Sequence, residues 1–71
     1  MAILLNRLKE LRARDGLSQT ELAKLTGSSR QTISLIERGD YLPSILIAMK
    51  IAKVFQLPVD DVFSMKEEEE E

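Results

Sequence analysis

The sequence predicts a small all-α fold of five helices, and three observations carry that prediction. Apolar residues recur at helical spacing through most of the chain, and glycine or proline interrupts them at short intervals. Between Gln19 and Arg38 the chain also has the pattern of two short helices wedged around Gly27. The first helix is expected from Leu4 to Arg14, with Leu4, Leu8 and Leu11 on its buried stripe, Asp15-Gly16 ending it, and Leu17 dropping into the core. Ile3, Leu4 and Leu5 read equally as an extension of this helix or as a short strand. The second helix opens on Ser18-Gln19-Thr20-Glu21, a capping box in which serine and glutamate each satisfy a backbone N–H of the other. Leu22, Ala23 and Leu25 form its apolar stripe, and Gly27 ends it by supplying a positive φ without a Cβ clash.

The third helix opens at Ser28 or Ser29. A Ser28 cap would engage Gln31 in a second box, whereas a Ser29 cap would leave Gln31 free. Ile33 and Ile36 share one face of this helix, with Arg30, Gln31, Ser34, Leu35 and Arg38 opposite. Ala23 stands where the second and third helices should cross, and a small side chain there permits the close approach of a sharply angled pair. Gly39 to Pro43 reads as a loop, and Ser44 caps a fourth helix that runs to about Phe55. A short fifth helix, Val59 to Phe63, follows Pro58, with Val62 and Phe63 as its apolar contacts.

Seventy-one residues make one domain with a thin core. We place that domain at residues 1–66, followed by a disordered acidic tail, Glu67 to Glu71, whose plainest role is solubility. The absence of cysteine and histidine removes disulfides, thiol chemistry, the commonest general base and most transition-metal sites, so neither catalysis, a metal nor a cofactor is expected. No small-molecule ligand is evident. No apolar run approaches a membrane span, and the N-terminal residues lack the charged lead of a signal peptide, which points to a cytoplasmic protein. The net charge is -2, but without the five terminal acids the chain holds 10 basic and 7 acidic residues, or +3. Affinity for an anionic polymer would then depend on a few placed cations and helix ends.

Helix, glycine-containing turn, helix is the arrangement in which the second helix lies in the major groove of duplex DNA. The outer face of the third helix suits that task. Arg30 can present two parallel donors to guanine, Gln31 can pair bidentately with adenine, Ser34 can donate or accept, and Leu35 can cover a thymine methyl or sit half-buried at the helix edge. Gln19 lies in the first turn of the second helix, where free amides and the positive dipole end favour a phosphate. Arg38, the backbone amides of Gly39 and Asp40, and the Tyr41 hydroxyl are further candidate phosphate clamps.

The chain resembles the Cro/phage-repressor (XRE-type) helix-turn-helix family over residues 6 to 63. The resemblance rests on NRLKELR (Asn6 to Arg12), GLSQTELA (Gly16 to Ala23), TISLIERG (Thr32 to Gly39), PS (Pro43, Ser44) and KIAKVF (Lys50 to Phe55). It implies a compact, lambda-repressor-like five-helix domain and sequence-specific binding of double-stranded DNA. By the same resemblance Gln19 holds a phosphate, Ser29 is the cap and lies at the groove edge among the phosphate contacts, and Arg12 pairs with Glu37 as a structural ion pair. The chain departs from the family pattern at Ser28, often apolar, and at Gln56, often glycine.

The fourth helix is more apolar than one packing stripe needs. Ile45, Ala48, Met49, Ile51, Ala52 and Phe55 fit an inward face, leaving Leu46, Ile47 and Val54 on its flanks. A symmetric homodimer using Leu46, Ile47, Val59, Val62 and Phe63 would cover the excess and space two recognition helices about 34 Å apart on a pseudo-palindrome. The expected function is a small transcriptional regulator, a repressor by promoter occupancy. An antitoxin or restriction-controller type of the same family is the alternative, and a protein-interaction module or coactivator is the rival from another class.

Overall fold

The computed structural model describes residues 1–68; residues 69–71 of the acidic run lie outside it. Among the described residues the order is β1 (Ala2–Asn6), α1 (Leu8–Asp15), α2 (Gln19–Thr26), α3 (Arg30–Glu37), α4 (Ile45–Phe55), α5 (Val59–Val62) and β2 (Phe63–Glu67). The fold is therefore predominantly helical, with five helices as expected, but it is not purely all-α.

The correction begins at the N-terminus. α1 starts at Leu8 rather than near Leu4, because the Asn6 carboxamide oxygen accepts the Leu8 N–H at 3.1 Å and the preceding residues pair with the far end of the chain. β1 and β2 are antiparallel, with Leu4 opposite Met65 and Asn6 opposite Phe63. The same pairing ends α5 one residue early and draws Glu67, expected in the tail, into β2.

The core is one cluster: Leu8 and Leu11 from α1, Leu22 and Ala23 from α2, Ile33 and Ile36 from α3, Ala48, Ile51, Ala52 and Phe55 from α4, then Val62 and Phe63. Leu4, Leu17, Ile47, Val54, Leu57 and Val59 pack against its rim. Two corrections follow from this arrangement. Ile45 and Met49, expected inward, are 76% and 55% exposed, because the buried stripe of α4 runs through residues 48, 51, 52 and 55. Val62 and Phe63, expected at a dimer interface, are core residues, and Ile47 and Val59 are half-covered by it; of those five candidates only Leu46 is exposed.

Each of the four longer helices ends with its chain turning left-handed. At three of them the residue is glycine, including Gly27 in the α2–α3 turn at φ 67°. The fourth is Gln56 at φ 57°, a conformation that crowds the Cβ of an L-residue. Arg14 supports that end by donating from Nη2 to the Phe55 carbonyl at 3.0 Å. Among the described residues no helix is long and apolar enough to cross a membrane.

Candidate nucleic-acid interface

The wedge is built from local chemistry. Ser18 Oγ accepts the Glu21 N–H at 3.0 Å and Glu21 Oε1 accepts the Ser18 N–H at 3.0 Å, completing the capping box of α2. The Glu21 carboxyl is held below the usual carboxylate range, first by the Ser18 backbone N–H that it accepts. In the turn, Ser28 N–H donates to the Ala23 carbonyl at 2.9 Å and Gly27 N–H to that of Lys24 at 3.3 Å, satisfying the last carbonyls of α2. Ser28 sits where the family often has an apolar residue, and it finds a partner in the buried Thr26 hydroxyl at 2.9 Å. Thr26 in turn donates to the Leu22 carbonyl at 2.9 Å.

Ser29 is the cap of α3: its Oγ accepts the Thr32 N–H at 3.0 Å and also meets the Thr32 hydroxyl. Gln31 therefore stands outside the cap. Arg30 and Gln31 are both exposed on the first turn of α3, while Ser34 and Leu35 follow half-buried on the next. Ile33 and Ile36 seal the opposite face against the core, which fixes the direction in which the polar face points.

A polar joint holds α1, α2 and α3 together. Arg12 Nε donates to Glu37 Oε2 at 2.6 Å and its Nη2 to Oε1 at 3.0 Å, a two-pronged pair that leaves Arg12 16% and Glu37 8% exposed. Arg12 Nη1 also donates to the Leu17 carbonyl at 3.1 Å. The Arg12 pKa is raised, chiefly by its hydrogen bond to Glu37. Gln19 joins the group by donating from Nε2 to Glu37 Oε1 at 3.3 Å, so its carboxamide is tethered at the start of α2 with a second amide hydrogen still to offer. From the other side, Asn6 Nδ2 donates to the carbonyls of Ile36 at 3.0 Å and Glu37 at 3.4 Å, fastening β1 to the end of α3. Neither tether is visible from sequence spacing, since Asn6 and Gln19 lie far along the chain from Glu37.

The end of α3 corrects one expectation. Gly39 N–H donates to Ile36 O at 3.0 Å and Asp40 N–H to Leu35 O at 2.9 Å, so these amides close the helix and are not free to clamp phosphate. Arg38 and Tyr41 remain exposed, with Arg38 Nε 3.7 Å from Asp40 Oδ2 in an open, solvated pair. Arg7 donates to the Asp61 carbonyl at 2.8 Å and to Glu10 at 2.7 Å, so its guanidinium is engaged.

Two short helices at a glycine turn, an exposed polar edge on the second and a tethered amide at the start of the first together define a helix-turn-helix DNA-binding domain. A sequence profile of the family described as Helix-turn-helix matches residues 8–62, and the chain belongs to that family, of the XRE type. Its similarity extends to whole small proteins. It is 52% identical over 63 residues to the uncharacterized HTH-type transcriptional regulator YgzD of Bacillus subtilis, covering 89% of this chain and 96% of the relative. It is 38% identical over 65 residues to the HTH-type transcriptional regulator PuuR of Escherichia coli, covering 92% of this chain and 35% of that longer protein. Among solved structures it is similar to the restriction-modification controller protein C.AhdI of Aeromonas hydrophila, with a TM-score of 0.73 and 36% identity over 78% of this chain and 83% of the other. The clp gene regulator ClgR of Corynebacterium glutamicum gives a TM-score of 0.71 and 28% identity over 76% of this chain and 57% of the other. The protein is a transcriptional regulator with a helix-turn-helix DNA-binding domain.

Proposed function

We propose that the chain binds double-stranded DNA sequence-specifically as a homodimer on a pseudo-palindromic operator, and represses by occupying a promoter. The observation that carries this reading is the exposed pair Arg30 and Gln31 on the first turn of α3, held outward by the buried Ile33 and Ile36. Arg30 reads guanine and Gln31 adenine, with Ser34 and Leu35 reaching the next bases. Gln19, Ser29, Arg38 and Tyr41 set register on the phosphates. The tether from Glu37 supports the role of Gln19, because a carboxamide already fixed in place loses less rotamer freedom on gripping a phosphate.

Selection of bound duplexes from a random library, at stated salt, returns half-site, symmetry and spacing together. Arg30→Ala then relaxes one base position by about 1–3 kcal/mol, whereas Gln19→Ala weakens all sequences alike. A library with no enriched sequence, or Gln19→Ala relaxing a single base, overturns the assignment. The likeness to C.AhdI favours a second reading, a restriction-controller-type regulator of the same architecture. A methyltransferase reading frame beside the gene would support it.

A further inference from the structure

β1 and β2 form a two-stranded sheet, so each strand has an outer edge with no strand paired to it among the described residues. The two edges differ in chemistry. β2 ends in Lys66 and Glu67, charged side chains of the kind that keep a sheet edge from pairing with another chain. β1 reads Ala-Ile-Leu-Leu-Asn, without a charge or a proline to guard it.

The register shows which backbone groups that edge offers. Glu68 N–H donates to the Met1 carbonyl at 2.7 Å and the Met1 amino group to the Glu68 carbonyl at 3.1 Å, while Arg7 N–H donates to Val62 O at 3.0 Å at the other end. Bonded and non-bonded pairs alternate along an antiparallel ladder. Ile3 and Leu5 therefore bond inward to Lys66 and Ser64, and Ala2, Leu4 and Asn6 turn their backbone groups outward. Ala2, Ile3 and Leu4 also line an apolar cleft of about 340 Å³, closed by Leu42, Pro43 and Met65. Leu42 and Ile45, close in sequence to Pro43, are 70% and 76% exposed.

We propose that β1 is the seam between two copies of this chain, pairing antiparallel with the β1 of a second copy to give a four-stranded sheet in the order β2-β1-β1-β2. The outward groups are spaced evenly about Leu4, so a two-fold axis at Leu4 sets each Leu4 opposite its counterpart and each Ala2 opposite the other copy's Asn6. Every outward N–H and C=O of the strand then meets a partner. In that register Ile3 of one copy lies across from Leu5 of the other, an apolar pair at a non-bonded position. A second copy is the occupant that fits, because a closed two-fold contact must be complementary to itself and the strand Ala2–Asn6 carries no charged side chain to repel its own image. A strand edge alone falls short of the roughly 800 Å² per partner of a stable interface, and the cleft, with the exposed Leu42 in its wall, supplies further apolar area. The seam deepens the operator reading above, which needs two copies, but its test does not depend on DNA.

Ala2 and Glu67 face one another across the ribbon, and both point their N–H groups away from the ladder. Proline at either position therefore removes one outward donor and leaves the β1–β2 bonds in place. Sedimentation equilibrium without DNA should show a micromolar or tighter dimer for the wild type, a dimer Kd raised at least tenfold by Ala2→Pro, and a change below twofold for Glu67→Pro. A wild type that stays monomeric overturns the proposal, as does Ala2→Pro dimerising like the wild type. So does a dimer broken by Leu46→Lys and untouched by Ala2→Pro, which would assign the contact to α4. The chain has no cysteine, so Leu4→Cys introduces one thiol, and two such thiols at the axis should be oxidised by diamide to a covalent dimer. Absence of that dimer counts against the seam. A chain that dimerises through β1 yet selects no duplex leaves the seam standing and removes the operator reading.

Discussion

α3 and α4 begin alike, each with a serine hydroxyl accepting a backbone N–H three residues on, and each buries one stripe in the same core. Their outer faces are opposites. α3 shows Arg30 and Gln31 to solvent, whereas α4 shows Ile45, Leu46 and Met49. Their ends differ too: Gly39 takes the left-handed position after α3, and Gln56 takes it after α4. Burial constrains the inner stripe of any helix, so it is the outer stripe that records what the helix meets. A polar, forked face suits base edges, and an apolar one suits protein.

The largest way to break this contrast is at the joint that holds α3 in place. Glu37→Ala strands Arg12 in a largely desolvated site and should lower stability by about 3–5 kcal/mol, while Ser34→Ala, one turn earlier, should change it far less. Equal melting temperatures for the two would remove the structural role of the pair. Next comes the rotation of α4. Ile51→Ala on its buried stripe should cost about 2–5 kcal/mol, against about 0.5 kcal/mol or less for Ile45→Ser in the monomer. Matching urea midpoints would mean that the burial pattern of α4 is misplaced.

Gln56→Gly sharpens the comparison of helix ends. Relief of the left-handed strain should raise stability by about 1 kcal/mol, read as a higher urea midpoint with an unchanged m-value. The smallest effect concerns pH at the α2 cap. Because the Glu21 carboxyl is lowered in the folded state, its contribution is present above its unfolded pKa and fades as pH falls through the folded one. Glu21→Gln should flatten that part of the acid stability profile, and an unchanged slope would argue against the box as its source.

The parts legible in the sequence were those whose cause is local. Ser18 and Glu21 lie within one turn of each other, Gly27 and Gly39 mark sites where a Cβ is unwelcome, and the Ile33–Ile36 stripe announces which way Arg30 and Gln31 must point. β1 was not legible as strand rather than helix, because Ala2 to Leu5 suit either and their partner strand is some sixty residues away. The orientation of α4 was obscured for a different reason. With apolar residues at nearly every position, the helix offers no contrast from which to read its inner face, so Ile45 and Met49 passed for core. The engagement of the Gly39 and Asp40 amides was not legible either, because closure of α3 on itself depends on backbone geometry that composition does not reveal.

One carboxamide connects the two halves of this picture. Asn6 receives the first turn of α1 with its oxygen and grips the last turn of α3 with its nitrogen, at the very point where β1 leaves the helical body. If copies join along β1 and α3 enters the groove, that side chain is one of the struts that set the separation of the two α3 helices, and its stiffness bears on the protein's tolerance for longer or shorter operator spacers.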